Sequence, residues 1–392
     1  VQELYVGTVL AGLIFLSSVL SVELGISASI IEIALGVLAG NFLGVTALPW
    51  VTYIAGLGGI LLTFLAGAEV DLDVMRAKFK ESLLIGGVSF LAPFLGAMLI
   101  CHYLLGWEWK AAQIAGVALS TTSLAVVYAV LVETGLTHTP VGKLIMAATF
   151  VTDFGTAAAL ALVLLEFNVN TLWFALISGA IILLVPRIAP RLFARYGDRV
   201  IEPEIKFLFL LLLILMYFAK LGMSHAILPA FVLGLVMSRI FQKNAALQRK
   251  LRVVGFAFIT PIFFLNGGMK ISLSLLWSGA LLFVILLAVK QITKIVGVYP
   301  LAKRYIPNEA MYTTLLMSTG LTMGTLSSVA GLEAGFIDQL QFSVLVAVVV
   351  ASAIVPTFIA QRFFHPHHAL VELEKPKPEI HEPVPLEETA QE

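Results

Sequence analysis

Charge is what this chain has least of. Lys, Arg, Asp and Glu make up 12% of its 392 residues, where soluble globular domains carry about a quarter. That shortage excludes a water-solvated globule. Together with 59% hydrophobic residues it predicts an all-α polytopic membrane protein. Cysteine is nearly absent: Cys101 stands alone, so no internal disulfide can form and the redox compartment is not readable. The start, Val1-Gln-Glu-Leu-Tyr5, lacks the basic segment and small-residue cleavage site of a signal peptide, so the first apolar stretch is expected to be a retained helix. The net charge is zero, and neither a cofactor nor a nucleic-acid partner is expected.

What is abundant is apolar sequence in lengths that cross a bilayer, about 17–25 residues each. The pattern predicts about 13 transmembrane helices, at 4–20, 28–44, 50–67, 82–105, 110–132, 140–166, 171–194, 205–221, 225–241, 253–268, 275–301, 309–330 and 341–363. Cytoplasmic loops carry excess Lys and Arg. With the N-terminus outside, the basic residues of 76–80, 187–206, 239–252 and 303–304 fall inside, together with Lys143, against Lys110, Lys220 and Lys270 outside. The expected topology is N-out and C-in. Residues 366–392 hold five prolines and seven glutamates and read as a disordered cytoplasmic tail. The rest, 1–365, reads as one transmembrane domain.

Asp153 is the residue that points to chemistry. It lies in the middle of the apolar stretch 140–166, in Ala148-Thr-Phe-Val-Thr-Asp-Phe-Gly-Thr156. A carboxylate at that depth costs about 2.5–3.5 kcal/mol on insertion scales and is by default an ion or proton site. The plainer alternative is a carboxyl kept neutral, or bonded to Thr152 or Thr156.

The order of the helices suggests an inverted repeat: six helices over about 1–166, a linker helix at 171–194, and six more over about 205–363. The fifth helix of the first set contains Ser120-Thr121-Thr122-Ser123. Its counterpart contains Ser318-Thr319-Gly320-Leu321-Thr322-Met323-Gly324-Thr325. Hydroxyls and glycines can re-satisfy backbone freed by unwinding, so two broken, crossing helices are expected. Small hydroxyl residues in close helix packing are the alternative for either run alone.

Other ionisable residues fall within or near the spans. Lys290 and Lys294 are four apart, on one helix face. Each can pair with Asp153, exchange protons or neutralise a helix end; snorkelling to the interface competes with these. Glu69, Asp71 and Asp73 beside Arg76 and Lys78 suggest an interfacial salt-bridged loop, with an ion-entry funnel as the sharper reading. Glu32 stands near a helix start, where dipole compensation accounts for it. Glu133 starts an inner loop, and His225 and Lys220 are expected at an outer helix end.

Several segments resemble the monovalent cation:proton antiporter family, the branch of Kef-type potassium-efflux systems and Nap-type sodium/proton antiporters. Phe64-Leu-Ala-Gly-Ala-Glu-Val-Asp-Leu-Asp-Val-Met-Arg76 resembles its F-x-x-G-x-E-x-D-x-x-x-x-R segment. Glu32-Ile-Ala-Leu-Gly-Val-Leu-Ala-Gly40, Val130 to Gly142, Gly222 to Gly234 and Pro261 to Met269 are similar to further segments, in the same order. The resemblance covers about residues 1–363. It implies that Asp153 is the ion-binding aspartate, that Thr152 stands where many members have Asp or Asn, and that Ser120–Ser123 and Ser318–Thr325 are the broken helices. It also implies that Lys294, ahead of Lys290, matches a basic residue that in some members pairs with an acid at the Thr152 position. That acid, an Arg-Gly-Glu run of the second broken helix, and the Kef-type nucleotide-binding domain have no counterpart in this sequence. A homodimer is implied by the resemblance only.

The expected function is exchange of a monovalent cation, Na+ or K+, for protons across a membrane, expected to be a prokaryotic inner membrane, by alternating access. It is not an enzyme. Asp153 would hold the cation, supported by Thr152, Thr122 and Ser123. A cation channel or uniporter is the alternative. An intramembrane aspartyl protease needs a second catalytic aspartate, and no second mid-membrane Asp and no Gly-x-Gly-Asp run occur in the sequence.

Overall fold

The computed structural model describes residues 2–70, 73, 75, 78–137, 139–165, 169–197, 199–222 and 224–364. Asp71, Arg76, the Glu166 end of one predicted span, the side chain of Glu133 and the tail at 366–392 lie outside the described residues.

The described residues are almost entirely helical. In order come α1 (Gln2–Leu24), α2 (Ala28–Phe42), α3 (Pro49–Ala68) and α4 (Phe79–Leu99, extended by a π-helical turn, Ile100–Leu104). They are followed by α5 (Trp109–Ser120), α6 (Leu124–Glu133), α7 (Pro140–Val163), α8 (Val169–Tyr196), α9 (Pro203–Leu221) and α10 (Ile227–Lys243). Then come α11 (Ala245–Val254), joined by a π-helical turn (Gly255–Ile259) to α12 (Thr260–Met269), α13 (Leu273–Ser278), α14 (Ala280–Tyr305), α15 (Ala310–Met317), α16 (Thr322–Glu333) and α17 (Gln339–Phe363).

Among the described residues, ten helical stretches are long and apolar enough to cross a membrane. The helices α2, α9 and α10 lie at the other three predicted spans without meeting that measure, so ten of the thirteen are matched. Two boundaries differ from expectation. The segment predicted as 275–301 is a short helix followed by α14, because Gly279 ends α13 before the long helix begins at Ala280. The segment predicted to start at 253 continues an amphipathic helix that begins at Ala245, capped by the Asn244 side chain.

Packing divides the helices into two groups. In one, α2 packs on α12, α3 on α10 and α12, and α9 and α10 on α8. In the other, α4 packs on α5, α7 and α14, while α14 and α17 pack on α15 and α5 on α16. The groups meet where α7 and α16 touch α3, α10 and α12.

The first group is drawn together by glycines in reciprocal pairs. A Cβ on Gly67 of α3 would strike the Phe231 carbonyl of α10, and one on Gly234 of α10 would strike the Phe64 carbonyl of α3. The same reciprocity joins α2 to α12: Gly36 faces the Leu265 carbonyl and Gly268 faces the Ile33 carbonyl. Small residues let backbones approach this closely, which is how helices associate without a hydrophobic driving force. Gly234→Ala and Gly36→Ala should therefore each destabilise the fold by about 1–3 kcal/mol, the usual cost of overpacking. Thermal unfolding in detergent measures it, against Gly12→Ala, which meets open space, as control.

Candidate ion site at the helix crossing

Both predicted breaks are present. α5 ends at Ser120, and Thr121 and Ser123 are extended, with ψ of 151° and 108°, before α6 begins. α15 ends at Met317, and Leu321 leaves helical geometry at φ −154°, ψ −77° before α16 begins at Thr322. The hydroxyls take up backbone acceptors released by the unwinding. Ser120 Oγ donates to Val117 O at 2.8 Å, Thr121 Oγ1 to Ala118 O at 3.0 Å, Ser318 Oγ to Thr314 O at 2.8 Å and Thr319 Oγ1 to Leu316 O at 2.8 Å. Thr322 is half-buried as the first residue of α16.

Two bonds tie the breaks to each other. Thr122 Oγ1 donates to Met317 O at 2.8 Å, and the Ser123 amide donates to Thr319 Oγ1 at 3.3 Å. Ser123 Oγ also caps α6 by accepting from the Val126 amide.

α14 delivers two lysines to this crossing, and both are 0% exposed. Lys294 Nζ donates to Ser89 Oγ at 2.8 Å and to Thr122 Oγ1 at 3.0 Å. Lys290 Nζ donates to Thr121 O at 3.4 Å, just past the C-terminal end of α5, and packs against Gly320. Helix C-termini carry partial negative charge, so ammonium groups are stabilised there. Snorkelling, the competing expectation for both, is overturned: neither lysine reaches the interface.

Asp153 is 3% exposed near the middle of α7, and its Oδ1 has no hydrogen-bond partner. Neither lysine forms an ion pair with it. On the α-helical wheel Asp153 lies between Thr149 and Phe150. Thr149 Oγ1 donates to Met317 Sδ of α15 at 3.5 Å, and the Phe150 ring packs on Phe231 of α10 at 5.4 Å, so the aspartate points between the second broken helix and the other helix group. Thr152, its neighbour, turns toward α4 and donates to Gly86 O and Ala148 O at 3.1 Å each.

Other sequence-derived readings change. Glu69 pairs with Arg252 on α11, at 3.0 Å to Nε and 2.5 Å to Nη2, a distant partner not expected from the sequence; Arg76, an expected loop partner, lies outside the described residues. Glu32 is the fifth residue of α2 and buried beside Ser17 of α1, so compensation at an exposed helix start does not describe it. Ser89 was missed altogether, since nothing in the sequence of α4 singles it out. Lys290 ranked behind Lys294, although its spacing put both on one face.

Comparison with known proteins bears on this arrangement. The model of a family described as "Sodium/hydrogen exchanger, transmembrane" matches residues 8–365. The chain is 27% identical over 326 residues to a protein named "Probable Na(+)/H(+) antiporter 3" of Methanocaldococcus jannaschii, covering 79% of this chain and 83% of that one. It is 27% identical over 380 residues to a Na(+)/H(+) antiporter of Enterococcus hirae, covering 89% and 94%. Among solved structures, the sodium proton antiporter MjNhaP1 of Methanocaldococcus jannaschii at pH 8 shares the fold, with TM-score 0.70 at 14% identity over 96% of this chain and 100% of that one. Two broken helices crossing beside a buried carboxylate define a membrane transporter of the alternating-access class. More particularly, the chain belongs to the sodium/hydrogen exchanger family.

The crossing depends on Thr122, which is donor and acceptor at once. Thr122→Val strands the Met317 carbonyl and takes one partner from Lys294, and unmet buried groups cost about 1–3 kcal/mol each. The variant should unfold at a markedly lower temperature than the wild type. Thr122→Ser, which keeps the hydroxyl, should recover most of the loss in the same melt.

Proposed function

We propose that this protein exchanges a monovalent cation, sodium ahead of potassium, for protons, and that Asp153 is the group for which the two compete. The observation that carries the site is an unpartnered, buried carboxylate oxygen on α7, on the seam between the two helix groups. A carboxylate there holds either a cation or a proton. Occupation by one removes the charge that holds the other, so a single group couples the two flows. Thr122 and Ser123 support the site from the broken helix. Thr152 supports it by fixing α7 against α4, which sets the direction of the next side chain.

Alternating access follows if the group containing α4–α7 and α14–α17 slides against the group containing α2, α3, α8–α10 and α12. Exposed apolar residues on α1 and α8, such as Phe15 and Trp173, are compatible with lipid or a second copy. We assign the homodimer to that surface, with the N-terminus outside and the C-terminus inside, in a prokaryotic inner membrane. The six-plus-six repeat is supported by the packing itself. Exchanging α2 with α10 and α3 with α12 turns the Gly67–Gly234 seam into the Gly36–Gly268 seam.

Asp153→Asn should abolish proton flux driven by sodium or potassium in proteoliposomes, while the protein still folds and elutes as the wild type does. An amide cannot alternate between proton and cation. Wild-type flux in that variant would reject the site. Cation current without proton counterflow in the wild type would reject antiport in favour of a uniporter.

The stoichiometry follows from the inventory of charges. One carboxylate serves both ions, and the acid that would pair with Lys294 is replaced by Thr152. With both lysines keeping their protonation through the cycle, one proton exchanges for one cation and no net charge moves. Solid-supported-membrane recordings should show no sustained sodium-driven current; a voltage-sensitive one would mean that a lysine also carries a proton.

A further inference from the structure

The seam between the two helix groups opens into a cavity of about 740 Å³. Its walls are mostly apolar, with Phe263 of α12 and Leu326 of α16 facing it. Lys220 and Glu333 contribute the charged side chains of its lining, beside His225, Tyr53 and Tyr217. Asn266 of α12 also lines it. This side chain is 1% exposed, and its Oδ1 has no hydrogen-bond partner.

A buried amide oxygen left unmet is costly, and the surrounding backbone prevents α12 from turning it elsewhere. Gly268, two residues on, packs its Cα against Gly36, where a Cβ on either would collide with the opposite carbonyl. Across the seam, Thr325 of α16 packs against Gly267. Its Oγ1 is likewise buried and without a partner. Each helix group therefore brings one unmet, uncharged oxygen to the same stretch of the seam.

The charged groups of the lining do not supply a net negative field. Glu333 is taken up by Lys270 at 2.8 Å, and Lys220 adds a positive charge. Burial holds the His225 pKa below its ordinary value, Glu333 opposes this and Lys220 adds to it. A cation in this cavity is recognised by oxygen coordination instead of by charge. Neutral oxygens can replace part of a hydration shell and still release the ion.

We infer that Asn266 is a specificity-determining contact for the transported monovalent cation as it passes through the cavity, with Thr325 as the facing oxygen on the helix group that contains α7. The inference rests on the antiport reading and extends it to a second point of contact.

The test is steady-state exchange by the full chain in proteoliposomes, with sodium, lithium and potassium as the probes. Asn266→Leu should raise the sodium KM at least threefold and change the sodium-to-lithium KM ratio. Its kcat should stay within twofold, and its pH profile and melting temperature should be those of the wild type. Thr325→Val should shift KM in the same direction. Where the leucine variant fails to fold, Asn266→Ala removes the oxygen without added bulk and should give the same shift. Wild-type KM and ion ratio in a folded variant overturn the inference, as a carbonyl met by water alone would behave. A fall in kcat and melting temperature with KM unchanged overturns it too, as a packing role. A wild type that exchanges no cation overturns the antiport reading itself, and this inference with it.

Discussion

Everything at the centre of this molecule depends on how two interrupted helices are reconciled with an apolar environment. Unwinding α5–α6 and α15–α16 releases backbone groups where water is scarce, and unmet groups there are expensive. The chain meets the demand with hydroxyls. Ser120, Thr121, Ser318 and Thr319 return to their own turns, while Thr122 reaches across to the opposite break. The partial negative ends of α5 and α15 are met by the two lysines of α14, Lys290 directly at Thr121 O and Lys294 through Thr122. The crossing is thus closed by short polar side chains and two ammonium groups, without a carboxylate in ion-pair contact.

That closure leaves Asp153 without an ion-pair partner, as the proposed exchange role requires. A carboxylate engaged with Lys294 would have to break an ion pair at every turnover. Here the lysine is satisfied by Ser89 and Thr122, and the aspartate oxygen keeps its valence. Its neighbour on the helix, Phe150, packs on Phe231 of α10, so in the proposed cycle the acid stands close to where the helix groups would slide.

Much of this was legible from residue types and spacing. Long apolar runs determine the helices, and paired hydroxyl-rich runs at matched positions mark the breaks, because unwound backbone needs nearby donors. A lone aspartate in an apolar stretch marks a candidate site, because its burial is costly. Contacts between distant segments were not legible. Ser89 looks like any small residue of a membrane helix until Lys294 is seen to end on it. Glu69 has basic neighbours in sequence, yet Arg252 reaches it from more than a hundred positions away. The break at Gly279 was hidden inside a continuous apolar run, since hydropathy records burial and not chain direction. Lys290 was outranked because the family resemblance pointed to Lys294, and spacing alone could not tell which of two lysines on a face meets a helix end.

The glycine seams of the first helix group have a mechanical consequence. Where backbone rests on backbone, there are no rotamers to repopulate and no side chain to yield by degrees. Such a joint either holds or parts. The half of the protein built on Gly67–Gly234 and Gly36–Gly268 therefore behaves as a stiff frame, and heat should release it in a single cooperative step. The other half has a backbone contact of its own, Gly86 of α4 against the Ala148 carbonyl of α7, and adds to it a crossing held by hydroxyl bonds that can yield one at a time.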